Sequence, residues 1–158
     1  MSTLKEGDKA PEFDLPASEG KNVSLKEFKG KERVVLYFYP KDDTPGCTVE
    51  ACGFRDKIKE VRKKGAVVLG ISPDVVKSHD KFIEKFKLPF LLLSDEEKKV
   101  CNDYGVWVKK SMYGKEYMGV ARTTFIIGKD GRIEKIFEKV KPEGHTEEVL
   151  EFLGKVER

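Results

Sequence analysis

The apolar positions fall into short continuous runs separated by stretches with helical spacing. Val34 to Tyr39 forms six consecutive apolar or aromatic residues, preceded by Arg33 and stopped by Pro40. A run of that length and β-branched, aromatic make-up predicts a strand buried on both faces. Ala66 to Ile71 and Arg122 to Ile127 predict two more buried strands, and Leu88 to Leu93 a shorter one. Between them, Cys47 to Lys64 shows a helical period, with Val49, Ala51, Phe54, Ile58 and Val61 on one broad face and Gly65 as the stop. Val75 to Phe86 predicts a second helix. Ser94 or Asp95 is placed to cap a third through Tyr104, and Thr146 to Val156 predicts a last one.

The margins are less regular. Gly7 to Pro16 carries two prolines and alternates Phe13 with Leu15, which suits a short edge strand. Val23 to Leu25 pairs back across a turn at Ser18 to Asn22, and Ser24 caps a short turn through Phe28. Val106 to Met118 reads as an irregular excursion or a hairpin. Gly128 to Gly131 reads as a hairpin turn before the alternating strand Arg132 to Phe137.

Strands that alternate with helices imply parallel pairing by right-handed crossovers, and the late hairpin makes the sheet mixed. The expected architecture is therefore α/β: a thioredoxin-like fold with a central mixed sheet flanked by helices and an N-terminal extended or hairpin extension. With 158 residues, one domain over 1–158 is expected. Pro40 to Cys47 then leaves the carboxyl end of a central strand, where open α/β sheets place their sites.

Charge changes this picture little. Hydrophobic residues make up 39% and charged residues 37%, and the net charge is only +3 with both signs interleaved. That is a solvated shell, not the one-sided basic patch a nucleic acid needs. Met1 to Ala10 lacks an apolar leader segment, and no apolar run reaches the roughly 18 residues of a membrane span. A soluble, cytoplasmic protein is expected. In a reducing compartment, a close cysteine pair is more often catalytic or metal-binding than structural.

Two of the three cysteines, Cys47 and Cys52, follow the loop Lys41 to Gly46 with four residues between them. The thiolate is the nucleophilic form of cysteine, and a free thiol ionises near about 8.5, so chemistry at neutral pH needs help. A helix start supplies unpaired amides and a partial positive charge. Thr44 brings a hydroxyl that both donates and accepts. Pro40 and Pro45 stiffen the loop, and Arg122, opening a neighbouring strand, is the candidate cation. On one intact helix, Cys47 and Cys52 would be about 7.5 Å apart along the axis, with Cα atoms roughly 8 to 9 Å apart. A disulfide cannot span that distance. A Cys47–Cys52 bond therefore requires the first turns to unwind: wound when reduced, locally melted when oxidised.

The string from Pro40 through Thr44 to Cys47 resembles the peroxiredoxin signature. Its continuation to Cys52 is similar to that of the bacterioferritin-comigratory-protein, or peroxiredoxin Q, subfamily. Gly7 to Phe13 and Arg122 to Ile127 resemble that family's opening segment and arginine-bearing strand. The resemblance implies reduction of hydrogen peroxide and organic hydroperoxides, with Cys47 as peroxidatic and Cys52 as resolving cysteine. It implies that Thr44 and Arg122 bind and polarise the peroxide, that Pro40 shields the site and that Glu50 orients the arginine. It further implies thioredoxin or a similar dithiol as reductant, a monomer with a weak dimer as the alternative, and no metal or organic cofactor. Cys101 is left as a structural thiol, with a second resolving thiol or an intermolecular disulfide as alternatives. His79 and His145, remote from any motif, are expected to be solvated.

Two other readings compete. A thiol–disulfide oxidoreductase of thioredoxin type would normally carry Cys-x-x-Cys, which is absent here. A metal or redox-sensing module would need zinc-type spacing, which the cysteines and the two histidines do not show.

Overall fold

The computed structural model describes residues 4–156. The Met1 to Ala10 leader reading and the ends of the 1–158 domain thus lie partly outside the described residues. Among the described residues, nine strands and five α-helices follow in chain order: β1 (Asp14–Pro16), β2 (Asn22–Ser24), β3 (Arg33–Phe38), α1 (Pro45–Asp56), α2 (Ile58–Lys63), β4 (Ala66–Ser72), α3 (Val76–Phe86), β5 (Leu91–Ser94), α4 (Lys99–Asp103), β6 (Trp107–Met112), β7 (Lys115–Val120), β8 (Thr123–Ile127), β9 (Ile133–Phe137) and α5 (His145–Val156). Short 3-10 turns occupy Ser18–Gly20 and Leu25–Phe28.

The central sheet has the order β5-β4-β3-β8-β9. β3, β4 and β5 are parallel, whereas β8 runs antiparallel to β3 and β9 antiparallel to β8. This is the expected mixed sheet. Because side chains alternate along a strand, β3 feeds two cores. Val34, Leu36 and Phe38 join one with Leu69, Tyr104, Phe125 and Ile127. Val35, Tyr37 and Tyr39 join the other with Cys47, Phe54, Val61, Phe82 and Leu153. The second core lies under α1, α2, α3 and α5. The N-terminal β1–β2 hairpin covers part of the first.

Several expectations need correction. The first helix starts at Pro45, two residues before Cys47, and is interrupted at Lys57 (φ −113°, ψ 13°). Proline disfavours an α conformation in the residue before it. Thr44 is accordingly extended (φ −96°, ψ 157°) and becomes the N-cap, with Pro45 in the first turn. At the break, the Lys57 amide reaches back only three residues, to the Phe54 carbonyl, so the last turn tightens. The buried stripe of α1 is Cys47, Glu50, Ala51 and Phe54, a clean i, i+3, i+4, i+7 set. Val49 lies off that stripe and is 44% exposed.

Val75 is exposed as well and precedes α3. The short strand starts at Leu91, because the segment from Leu88 to Phe90 turns first. α4 is only a five-residue helix, and the Asp95 carboxylate accepts the amides of Val100 and Cys101 at its start. Arg122 lies just ahead of β8 instead of opening it. The region 106–118 resolves as a regular hairpin, β6–β7, extending to Val120.

The two histidines are buried, not solvated. His79 takes the inward-facing place one turn before Phe82 on α3. His145 opens α5 edge-on to Phe54 and Phe137, with its Nε2 hydrogen-bonded to Thr124 Oγ1 at 2.8 Å. Burial holds the His145 imidazole below its usual pKa.

Candidate active site

Cys47 sits in the first turn of α1 and is 1% exposed. The first intrahelical bond runs from the Thr48 amide to the Thr44 carbonyl at 2.8 Å. The amides ahead of it belong to the set that a helix start leaves without intrahelical partners.

Arg122 reaches Cys47 from the position just ahead of β8. Its Nη2 donates to Cys47 Sγ at 3.3 Å, and its Nη1 donates to Glu50 Oε1 at 2.7 Å. The same guanidinium thus grips two residues one turn apart on one face of α1. Gly46 makes room for it: a Cβ there would lie 3.1 Å from Arg122 Nη2. Burial works against the Arg122 charge, but Glu50 and the Cys47 sulfur outweigh it and hold the guanidinium firmly protonated. The backbone of Arg122 is also pinned, since its carbonyl accepts the Val140 amide at 3.1 Å.

Glu50 is the buried counter-charge. Desolvation raises its pKa to about 7, with Arg122 pulling the other way. Among the described residues, Glu50 Oε2 and the Tyr37 hydroxyl are the two buried side-chain polar atoms without a hydrogen-bond partner. Burial, then the nearby Glu50 carboxylate, pushes the Tyr37 phenol well above its usual range, so it stays neutral.

Thr44 stands at the N-cap. Its hydroxyl donates to the Lys41 carbonyl at 2.9 Å, which leaves the oxygen lone pairs free to accept. Pro40 follows β3 directly and is half-buried. Cys52 lies on the same continuous helix as Cys47 and is half-buried, and all three cysteines are free thiols. Cys101 is enclosed in the opposite core. Burial and then Asp95 push its thiol far above the ordinary range.

The structure therefore brings Cys47, Thr44, Arg122 and Glu50 together around one helix start. Sequence reasoning missed what lies beneath the loop. Asp42, Asp74 and His79 bring their donor atoms within 4.8 Å of one another, a spacing a metal ion could use. Those atoms are instead engaged with each other and with Tyr39, Ser72 and Ser78. Lys110 on β6 also escaped notice. Burial and then Arg122 lower its pKa, while Cys47 opposes them.

Comparison with known proteins decides the family. The AhpC/TSA family model matches residues 6–136. The chain belongs to the AhpC/TSA family. It is 55% identical to a putative peroxiredoxin Bcp of Coxiella burnetii over 94% of this chain and 97% of the relative. It is 50% identical to peroxiredoxin Bcp of Bacillus subtilis over 96% of each chain. Among solved structures, peroxiredoxin Q of Xanthomonas campestris superposes with a TM-score of 0.88 at 40% identity over 92% of both chains. The bacterioferritin comigratory protein of the same organism, whose alkyl peroxide reduction activity has been studied structurally, superposes at 0.87 with 39% identity and the same 92% coverage. The fold is thioredoxin-like, as expected from the strand order, and the chain is a thiol-dependent peroxidase of the Bcp and peroxiredoxin Q type. No helix among the described residues is long and apolar enough to cross a membrane.

Proposed function

We propose that this chain, acting as a single domain, reduces hydrogen peroxide and alkyl hydroperoxides at Cys47 and passes the oxidation to Cys52. The observation that carries the reading is the forked contact of Arg122 with Cys47 Sγ and Glu50 Oε1. A guanidinium fixed by a buried carboxylate keeps its charge and its direction, which a flexible surface cation would not. The alkyl peroxide reduction of the Xanthomonas campestris relative supports the same substrate class.

The chemistry follows. The Cys47 thiolate attacks the hydrogen-bearing oxygen of ROOH. An S–O bond forms, the O–O bond breaks, and RO⁻ leaves to take a proton as ROH, so that Cys47 becomes a sulfenic acid. The Thr44 oxygen, its own hydrogen committed to Lys41, accepts a hydrogen bond from the peroxide O–H and orients that oxygen. Arg122 stabilises charge on the departing oxygen. The Cys52 thiol then displaces hydroxide from the sulfenic sulfur, giving a disulfide and water. Thioredoxin or a similar dithiol reduces the disulfide by exchange, becoming oxidised itself. Pro40 walls the site at the end of β3. Sulfur carries the whole redox change.

Stopped-flow peroxide reduction with cysteine variants tests this. Cys47→Ser is expected to consume no peroxide. Cys52→Ser is expected to react once and stop as a sulfenic acid that dimedone traps. Full turnover by Cys47→Ser would remove the assignment, and undiminished turnover by Cys52→Ser with thioredoxin would move the resolving step elsewhere.

A further inference from the structure

The polar group beneath the active-site loop has no part in the chemistry above, yet its side chains are densely hydrogen-bonded to one another. Asp42, two residues before Thr44, is buried with its side chain 4% exposed. Its Oδ1 accepts the Tyr39 hydroxyl, and its Oδ2 accepts the Ser78 hydroxyl at 2.7 Å and contacts His79 Nδ1 at 2.7 Å. His79 is 0% exposed, and its Nε2 contacts the Leu93 carbonyl at 2.9 Å. A carbonyl only accepts, so Nε2 carries a hydrogen. On its other side the ring meets, through Nδ1, the same Asp42 oxygen that Ser78 donates to. The Asp42 amide donates to Asp74 Oδ2 at 2.8 Å, and the Ser72 hydroxyl holds that same oxygen at 2.6 Å. The loop is thus tied to the end of β3, to the β4–α3 turn, to α3 and, through His79, to β5.

The residue beside Asp42 in the chain is Lys41, whose carbonyl fixes the Thr44 hydroxyl. Asp43, between Asp42 and Thr44, takes a left-handed backbone (φ 57°), which aspartate tolerates better than most non-glycine residues and which turns the chain sharply between the two. We propose that Asp42 and His79 are positioning residues for the peroxide step: they set the Lys41–Thr44 backbone so that Thr44 presents an acceptor to the peroxide. This rests on the reading of Thr44 given above. It adds to that reading a buried hydrogen-bonded pair, reached from α3 and β5, without which Thr44 would be free to turn its hydrogen toward the substrate.

The test is a set of double-mutant cycles. Single-turnover oxidation of Cys47 by hydrogen peroxide is followed by stopped flow for Asp42→Asn, His79→Gln and Ser78→Ala, each alone and combined with Thr44→Val. Alkylation of Cys47 by iodoacetamide, which needs a thiolate but no oriented peroxide, is measured alongside. Asp42→Asn and His79→Gln should lower the peroxide rate constant about tenfold to a hundredfold, the scale of a misplaced reacting group. Alkylation should stay close to wild type. In the Thr44→Val background, the same substitutions should cost almost nothing further, because the function they support is already gone. Ser78→Ala removes only one donor and keeps the test available if the central variants fail to fold. It should lower the rate about threefold, and only when Thr44 is present. Losses of equal size in both backgrounds, or alkylation falling in step with peroxide reduction, would overturn the inference while leaving the peroxidase reading intact. An unchanged rate for Thr44→Val alone would instead remove the role of Thr44, and this inference with it.

Discussion

Arg122 spends one nitrogen on Cys47 and another on Glu50, and the second contact carries a pH signature. Burial raises the Glu50 pKa from 4.5 to about 7 despite Arg122. Between these values the folded protein holds a proton that the unfolded chain has released. Unfolding therefore releases a proton, and stability falls as pH rises through that window and levels off above it. Glu50→Gln should abolish that decline while keeping an oxygen for Arg122 to donate to. Urea titrations of both proteins at intervals from pH 4.5 to 8 would show it. Parallel curves would mean that Glu50 titrates normally in the folded state. At this scale the sequence singled out Cys47, Thr44, Arg122 and Glu50 as candidates, through the string from Pro40 to Cys52 and the family resemblance it carries. It was not legible for His79 and His145. An isolated histidine looks the same on a solvated face as on a buried one, and only the packing of α3 against β5 and of α5 against Phe54 decides between them.

α1 is the element on which the proposed cycle turns. It is continuous from Pro45 to Asp56, so its two cysteines sit at helical separation, roughly 8 to 9 Å at Cα. A disulfide between them requires the turns from Cys47 to Cys52 to open. The later half of the helix is better anchored: Phe54 is fully buried, and a Cβ at Gly53 would come 2.8 Å from Thr146 Oγ1 on α5. Unwinding should therefore stop near Gly53. Hydrogen exchange on reduced and peroxide-treated protein should show lost protection across residues 47–52 on oxidation, with the amides after Phe54 protected in both states. Unchanged exchange throughout α1, despite complete loss of free Cys47 and Cys52, would contradict this. The sequence indicated the helix and the geometric conflict. It misplaced the start by two residues and counted Val49 as inward-facing, because a loop rich in Pro and Gly hides the point where Pro45 can serve as a first helical residue.

At the scale of the molecule, the site depends on how closely the central strands pack. Gly70 in β4 is paired with Tyr37 of β3 and Leu92 of β5. A Cβ there would lie 2.7 Å from Leu92 Cδ2 and 2.9 Å from Tyr37 Cζ. The missing side chain gives the Tyr37 ring its place between Tyr39 and Phe54, under α1. Gly70→Ala should cost about 1–3 kcal/mol by overpacking. At roughly 2–4 °C per kcal/mol for a chain of this size, that is a clear drop in melting temperature. An unshifted melting curve would show that the sheet relaxes around the methyl group.

By itself, the sequence determined the alternation of strands and helices and the mixed sheet, since these are written in local periodicity, and it singled out Cys47, Thr44, Glu50 and Arg122 as candidates. The tertiary structure decided how that set is held. The grip of Arg122 on α1 joins residues 72 to 75 positions apart. The Asp42–His79 pair joins residues 37 positions apart. Both depend on which strands become neighbours and which helix faces turn inward. Contacts of that range leave no periodic trace along the chain, because they arise from packing.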